Sequence, residues 1–76
     1  METKKRGGRK LLGSQIEDRI LEYIKEKPLE VGDRLPNEFE LAEMFDVGRS
    51  TIREAVKGLV TKGVLQVRRG AGTYVS

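Results

Sequence analysis

The chain has 76 residues, room for one small domain that buries only about 60% of the surface its unfolded form exposes. With no cysteine and no histidine it can build neither a disulfide nor a zinc site nor a thiol nucleophile, and it lacks the commonest general base. Hydrophobic residues at 37% beside charged residues at 36% describe a domain with a wet surface, and the longest uncharged run falls far short of a membrane span. Catalysis and membrane insertion are therefore poor readings. The basic stretch from Lys4 to Lys10 is not followed by the apolar segment of a secretory signal, so a cytoplasmic location is the expectation.

The net charge of +3 conceals a segregation: residues 1–10 carry +4, residues 11–46 carry −6 and residues 47–76 carry +5. A basic C-terminal half on an otherwise acidic chain suits a polyanionic partner, although a solvated basic face without any partner is the plainer alternative.

In chain order, residues 1–13 read as a flexible basic tail, since the first ten hold Gly7, Gly8 and no apolar residue beyond Met1. Ser14 with Glu17 three residues on predicts a capping box and a helix from Gln15 to about Lys27. Its inward stripe is Ile16, Ile20 and Ile24, and Pro28 stops it. Val31 to Pro36 is a connector with one extended pair at Arg34 and Leu35, because a residue before proline leaves the helical region. Asn37 and Glu40 repeat the capping logic for a second helix of barely two turns that ends near Phe45, with Leu41, Ala42 and Phe45 facing inward.

Asp46-Val47-Gly48 forms a tight corner in which Asp46 tolerates a left-handed backbone and Gly48 caps the next helix. The third helix spans Arg49 to Lys62, with Ile52, Ala55, Val56 and Leu59 inward and Gly63 closing it. Leu65 and Val67 then alternate with Gln66 and Arg68, and a glycine-rich turn leads into Thr73-Tyr74-Val75, a two-stranded hairpin. The fold class is mainly α with a small β-hairpin: a winged helix-turn-helix over residues 14–76, with three helices and a two-stranded wing. The hairpin must pack on the helices to persist.

Arg49, Arg53 and Lys57 fall four apart on the third helix, opposite its apolar stripe, with Ser50 beside them. Arginine presents bidentate donors to guanine O6 and N7, and small hydroxyls suit phosphate oxygens or base edges, so the stripe matches a major-groove reader. At the hairpin tip, Arg68 and Arg69 precede Gly70-Ala71-Gly72, where glycines permit close approach to a sugar-phosphate wall and arginine suits a narrow groove. Solvation alone accounts for arginines on one exposed helix face, and turn geometry alone for the glycines. The tight corner, the stripe and the basic hairpin together favour duplex DNA. Glu38, Glu40 and Glu43 around the second helix are explained by capping and solvation, because a chain this small builds no cleft around paired carboxylates.

Leu35-Pro36-Asn37-Glu38, Leu41-Ala42-Glu43, Val47 to Ala55, Leu59 with Gly63, and Arg69 to Val75 closely resemble the N-terminal DNA-binding domain of GntR-type bacterial transcription regulators, from about Ser14 to the end. The resemblance implies a winged helix whose third helix reads the major groove and whose wing tip enters the minor groove. It places DNA contacts on Arg49, Ser50, Thr51 and Arg53 in the helix, and on Arg69 and Gly70 in the wing. It further implies a palindromic double-stranded operator, a homodimer on DNA or through a C-terminal domain beyond Ser76, and a small-molecule effector acting only through that domain. The commoner family role is repression, and the DNA-binding domain itself needs no cofactor or metal.

The sequence departs from the family pattern in two places within the domain. Phe39 stands where an arginine usually touches DNA, which leaves one contact absent. Asp46 and Gly48 replace a common glycine and a common hydroxyl cap, a loosening of about 1 kcal/mol or less that keeps the path of the corner. A winged helix that docks a protein through the same arginines is the rival reading, and the steep salt dependence of DNA binding separates the two.

Overall fold

Leu12, Ile16, Ile20 and Ile24 recur every four residues, and they supply the inward stripe of the first helix, α1, Gly8–Glu26. The computed structural model describes the backbone of residues 8–76 and the side chains of residues 12–76. The helix begins about two turns before the start predicted from Ser14. Ser14 lies inside it and is exposed, and Glu17 pairs with Lys62 instead of closing a capping box. The reason is physical: Leu12 adds a rung to the apolar stripe, and Arg9, Lys10 and Leu11 are good helix formers, so the helix runs on through Gly13 and Ser14. Residues 8–13, expected as tail, thus belong to α1, while residues 1–7 of that tail lie outside the described residues.

Asn37 caps the second helix, α2, Glu38–Phe45, with both halves of the predicted box in place. Its Oδ1 accepts from the Glu40 amide at 2.8 Å, and its own amide donates to Glu40 Oε1 at 2.9 Å. Asp46 ends the helix in the left-handed region (φ 56°, ψ 50°), where the Val47 amide reaches back to the Ala42 carbonyl at 3.1 Å. Gly63 (φ 79°) ends the third helix, α3, Arg49–Thr61, in the same way, with the Val64 amide on the Leu59 carbonyl at 2.9 Å. Between the two helices Val47 turns inward against the core and Gly48 stands at the N-cap without a side-chain hydrogen bond, as the sequence predicts.

The wing consists of β1, Leu65–Arg68, and β2, Gly72–Val75, paired antiparallel with Leu65 opposite Val75 and Arg68 opposite Gly72. The connector between α1 and α2 adds a third line to this sheet. The Gly32 amide donates to the Val75 carbonyl, the Val75 amide to the Asp33 carbonyl and the Leu35 amide to the Thr73 carbonyl, at 2.8–2.9 Å. Arg34 is thereby bridged to Tyr74.

Strand alternation then sorts the side chains into two faces. Leu35, Leu65 and Val75 are buried against the helices, while Arg34, Gln66, Arg68 and Tyr74 share the outer face. Ile20, Leu41, Ile52, Leu59 and Leu65 are fully buried and join all three helices to the wing, each worth roughly 1.5–3 kcal/mol of apolar burial. No helix among the described residues is long and apolar enough to cross a membrane.

Candidate nucleic-acid interface

The burial of Ile52, Ala55 and Leu59 fixes the rotation of α3, and with it the side that faces solvent. Arg49, Ser50, Arg53 and Lys57 are all exposed on that side, and Thr51 is half-buried at its edge. The first turn of α3 carries no acidic residue and no side-chain cap, so its amide dipoles and Arg49 present a positive end to solvent.

Arg53 is not a free cation. Its Nε donates to Glu38 Oε2 at 3.0 Å and its Nη2 to Glu38 Oε1 at 3.2 Å, a two-point bond from α3 to the first residue of α2. The hydrogen bond from Arg53 holds the Glu38 carboxyl below the ordinary glutamate range, partial desolvation opposes this, and the charges of Arg53 and Arg49 reinforce it. The same bond raises the Arg53 guanidinium further above its already high value. Capping and solvation therefore do not account for Glu38, although they do account for Glu40 in its box and for the exposed Glu43. No local pattern marks the pair, because its members lie fifteen residues apart on different helices.

At the wing, the Ala71 amide donates to the Arg68 carbonyl at 2.9 Å across a turn whose third residue, Gly70, has φ 75°, the geometry of a type II turn. Arg69 and Gly70 are exposed at its tip. Arg68 sits one step back, its guanidinium carbon 4.6 Å from the centre of the Tyr74 ring, and the Tyr74 hydroxyl donates to the Ala71 carbonyl at 3.2 Å. Arg34, which sequence reading treats only as an extended residue, lies on the same face. A Cβ at Gly72 would come 2.8 Å from Arg34 Nε, and Gly72 has φ 128°, so only glycine suits that position.

An open cavity of about 290 Å³ separates α3 from the inner face of the wing, lined by Leu41, Val56, Val60 and Val67 together with Arg53 and Lys57. Phe39 is 56% exposed at the start of α2 and offers solvent an aromatic ring in place of a cation. The predicted residues thus fall into two groups, Arg49, Ser50, Thr51 and Arg53 on α3 and Arg69 and Gly70 at the wing tip, with this cavity between the helix and the wing.

The chain is 48% identical over 64 residues to the Uxu operon transcriptional regulator of Escherichia coli, matching 84% of this chain and 23% of that protein. It is 46% identical over 68 residues to the mannosyl-D-glycerate transport/metabolism system repressor MngR of the same species, matching 90% of this chain and 28% of the relative. The chain thus spans about a quarter of the length of these curated relatives.

Among solved structures, Streptococcus agalactiae GntR superposes with a TM-score of 0.81 at 58% identity, covering 84% of this chain and 31% of that one. The AraR DNA-binding domain in complex with operator ORR3 superposes with a TM-score of 0.78 at 34% identity, covering 86% of this chain and 78% of that one. The sequence model of the gntR family of bacterial regulatory proteins matches residues 12–75, nearly the whole described chain, and the chain belongs to that family.

Proposed function

We propose that the chain is the sequence-reading domain of a bacterial transcription regulator, binding double-stranded DNA with α3 in the major groove and the wing tip in the minor groove. The observation that carries this reading is the exposed stripe of Arg49, Arg53 and Lys57 on a helix whose opposite face is locked into the core, beside a wing that ends in Arg69. Arg49 and Arg53 reach base edges, Ser50 and Thr51 take phosphate oxygens at the start of α3, and Arg69 with Gly70 meets the minor-groove wall. The likeness to a DNA-binding domain solved on its operator supports the geometry.

The whole regulator acts in this reading as a repressor, the role that the name of MngR carries. It works in the cytoplasm as a homodimer on a palindromic operator, and a small-molecule effector acts through a part of the protein outside this chain. The domain itself uses no cofactor and performs no catalysis. Selection of bound sequences from a random duplex library tests the reading. Enrichment of one motif arranged as inverted half-sites is the expected result, and binding without any preference among duplexes overturns sequence-specific recognition.

A further inference from the structure

The outer face of the wing carries two cations that the recognition surface does not use. Arg34 and Arg68 both project from that face, on either side of Tyr74, because Arg34 is bridged to Tyr74 and Arg68 pairs opposite Gly72. The Arg68 guanidinium carbon lies over the Tyr74 ring, 4.6 Å from its centre, and the Arg34 guanidinium lies beside Gly72, where a Cβ would crowd it. Neither arginine is engaged in an ion pair among the described residues, and both are exposed. No acidic side chain interrupts the outer-face row of Arg34, Gln66, Arg68 and Tyr74. A guanidinium over an aromatic ring and another beside a bare glycine leave N–H donors available to the oxygens of a phosphate, which accept them.

We propose that Arg34 and Arg68 form a second phosphate-contact site that grips the DNA strand on the far wall of the groove entered by the wing tip. This rests on the proposed duplex-binding mode. A hairpin whose tip lies in the minor groove turns one face to each wall. Its inner face, with Val67 and Thr73, borders the cavity shared with α3 and so meets the strand lying between the two grooves. The outer face meets the opposite strand, and the arginines there match its phosphates in charge and in fork geometry. Because phosphates carry no sequence information directly, the site adds affinity and fixes the register of the wing without changing which bases are preferred.

The test measures the affinity of the 76-residue chain and of Arg34→Gln, Arg68→Gln, Arg34→Lys and Arg49→Ala for the duplex recovered by selection, across a series of salt concentrations. Phosphate-ethylation interference is mapped on the same duplex. Each Gln variant is expected to flatten the slope of log affinity against log salt by about 1, to lose interference at a phosphate of the far strand, and to keep the wild-type sequence preference. Arg34→Lys is expected to retain the slope, since a point charge suffices for a phosphate. Unchanged slopes and footprints in both Gln variants, while Arg49→Ala loses affinity, overturn the second site and leave the duplex reading standing. A wild-type chain with no salt dependence and no response to Arg49→Ala overturns both.

Discussion

The carboxylate of Glu17 on α1 occupies the space that a side chain at residue 58 of α3 would claim: a Cβ on Gly58 would collide with Glu17 Oε2, while Glu17 Oε1 accepts from Lys62 Nζ at 2.6 Å. The bare backbone at Gly58 lets a charged group lie between two helices that otherwise meet through apolar side chains. Glycine in a helix interior costs about 1 kcal/mol relative to alanine. A partly exposed ion pair returns about 1 kcal/mol or less. Gly58→Ala alone is therefore expected to shift stability by less than about 1 kcal/mol, because Glu17 must swing away from Lys62. In a Glu17→Ala background the same substitution is expected to stabilise by about 1 kcal/mol. Chemical denaturation of the four proteins checks this, and equal effects in both backgrounds would show that Glu17 is not held over Gly58.

Ile52 has no exposed surface and sits one residue from Arg53, which makes adjacent positions on α3 a sharp contrast. Ile52→Ala is expected to cost about 2–5 kcal/mol by leaving a cavity, a large share of the stability of a small domain. A melting curve matching wild type would mean that the helix is rotated from the orientation described.

Arg49→Ala and Arg53→Ala are expected to lower affinity for the selected duplex by about ten- to a hundredfold, with far smaller losses on unrelated duplexes. The melting temperature of Arg49→Ala stays near wild type, since its side chain makes no contact with the core stripe. Titration of labelled duplex with each protein reads the difference, and wild-type affinity in either variant removes that residue from the base-reading set.

Glu38 sets a pH dependence whose sign follows from the direction of its shift. Its folded-state carboxyl is held below the ordinary range by Arg53, so the pair contributes stability above the unfolded-state value, and that contribution is lost as pH falls through the lowered folded value. An NMR titration is expected to show Glu38 releasing its proton below the ordinary glutamate range, and to show the shift vanish in Arg53→Gln. Glu38→Gln frees Arg53 and is expected to steepen the salt dependence on mixed-sequence DNA by about one phosphate. An unaltered slope would mean that Arg53 already leaves Glu38 on binding.

The parts legible in the sequence are those set by local chemistry. The Asn37–Glu40 box, the left-handed Asp46, the Gly63 stop, the inward stripe of α3 and the presence of a two-stranded hairpin all follow from residues within a few positions of one another, whereas its register does not, since Gly72 reads as turn and pairs with Arg68 in the ladder. The start of α1 was not legible, because the cap offered by Ser14 competes with core packing of Leu12, and a tertiary contact decided between them. Glu38 with Arg53, Glu17 over Gly58, and Arg34 against Gly72 each join distant segments, and nothing in the spacing of either partner announces the other. The stripe on α3 was visible as a pattern, but the bond that restrains its second arginine was not.

The pairing of residues 32–35 with β2 places the last strand between two neighbours, β1 on one side and the α1–α2 connector on the other, with the Ser76 amide further bonded to the Val64 carbonyl at 2.9 Å. A polypeptide continuing from Ser76 would leave from an interior strand. Tension applied along it would run parallel to both ladders, so that several hydrogen bonds share the load in shear and none can peel in sequence. The pull would be delivered together to the hairpin and to the segment that positions α2. The wing and the helices would then turn as one lever, and a torque arriving at the chain end would reorient the whole reading head.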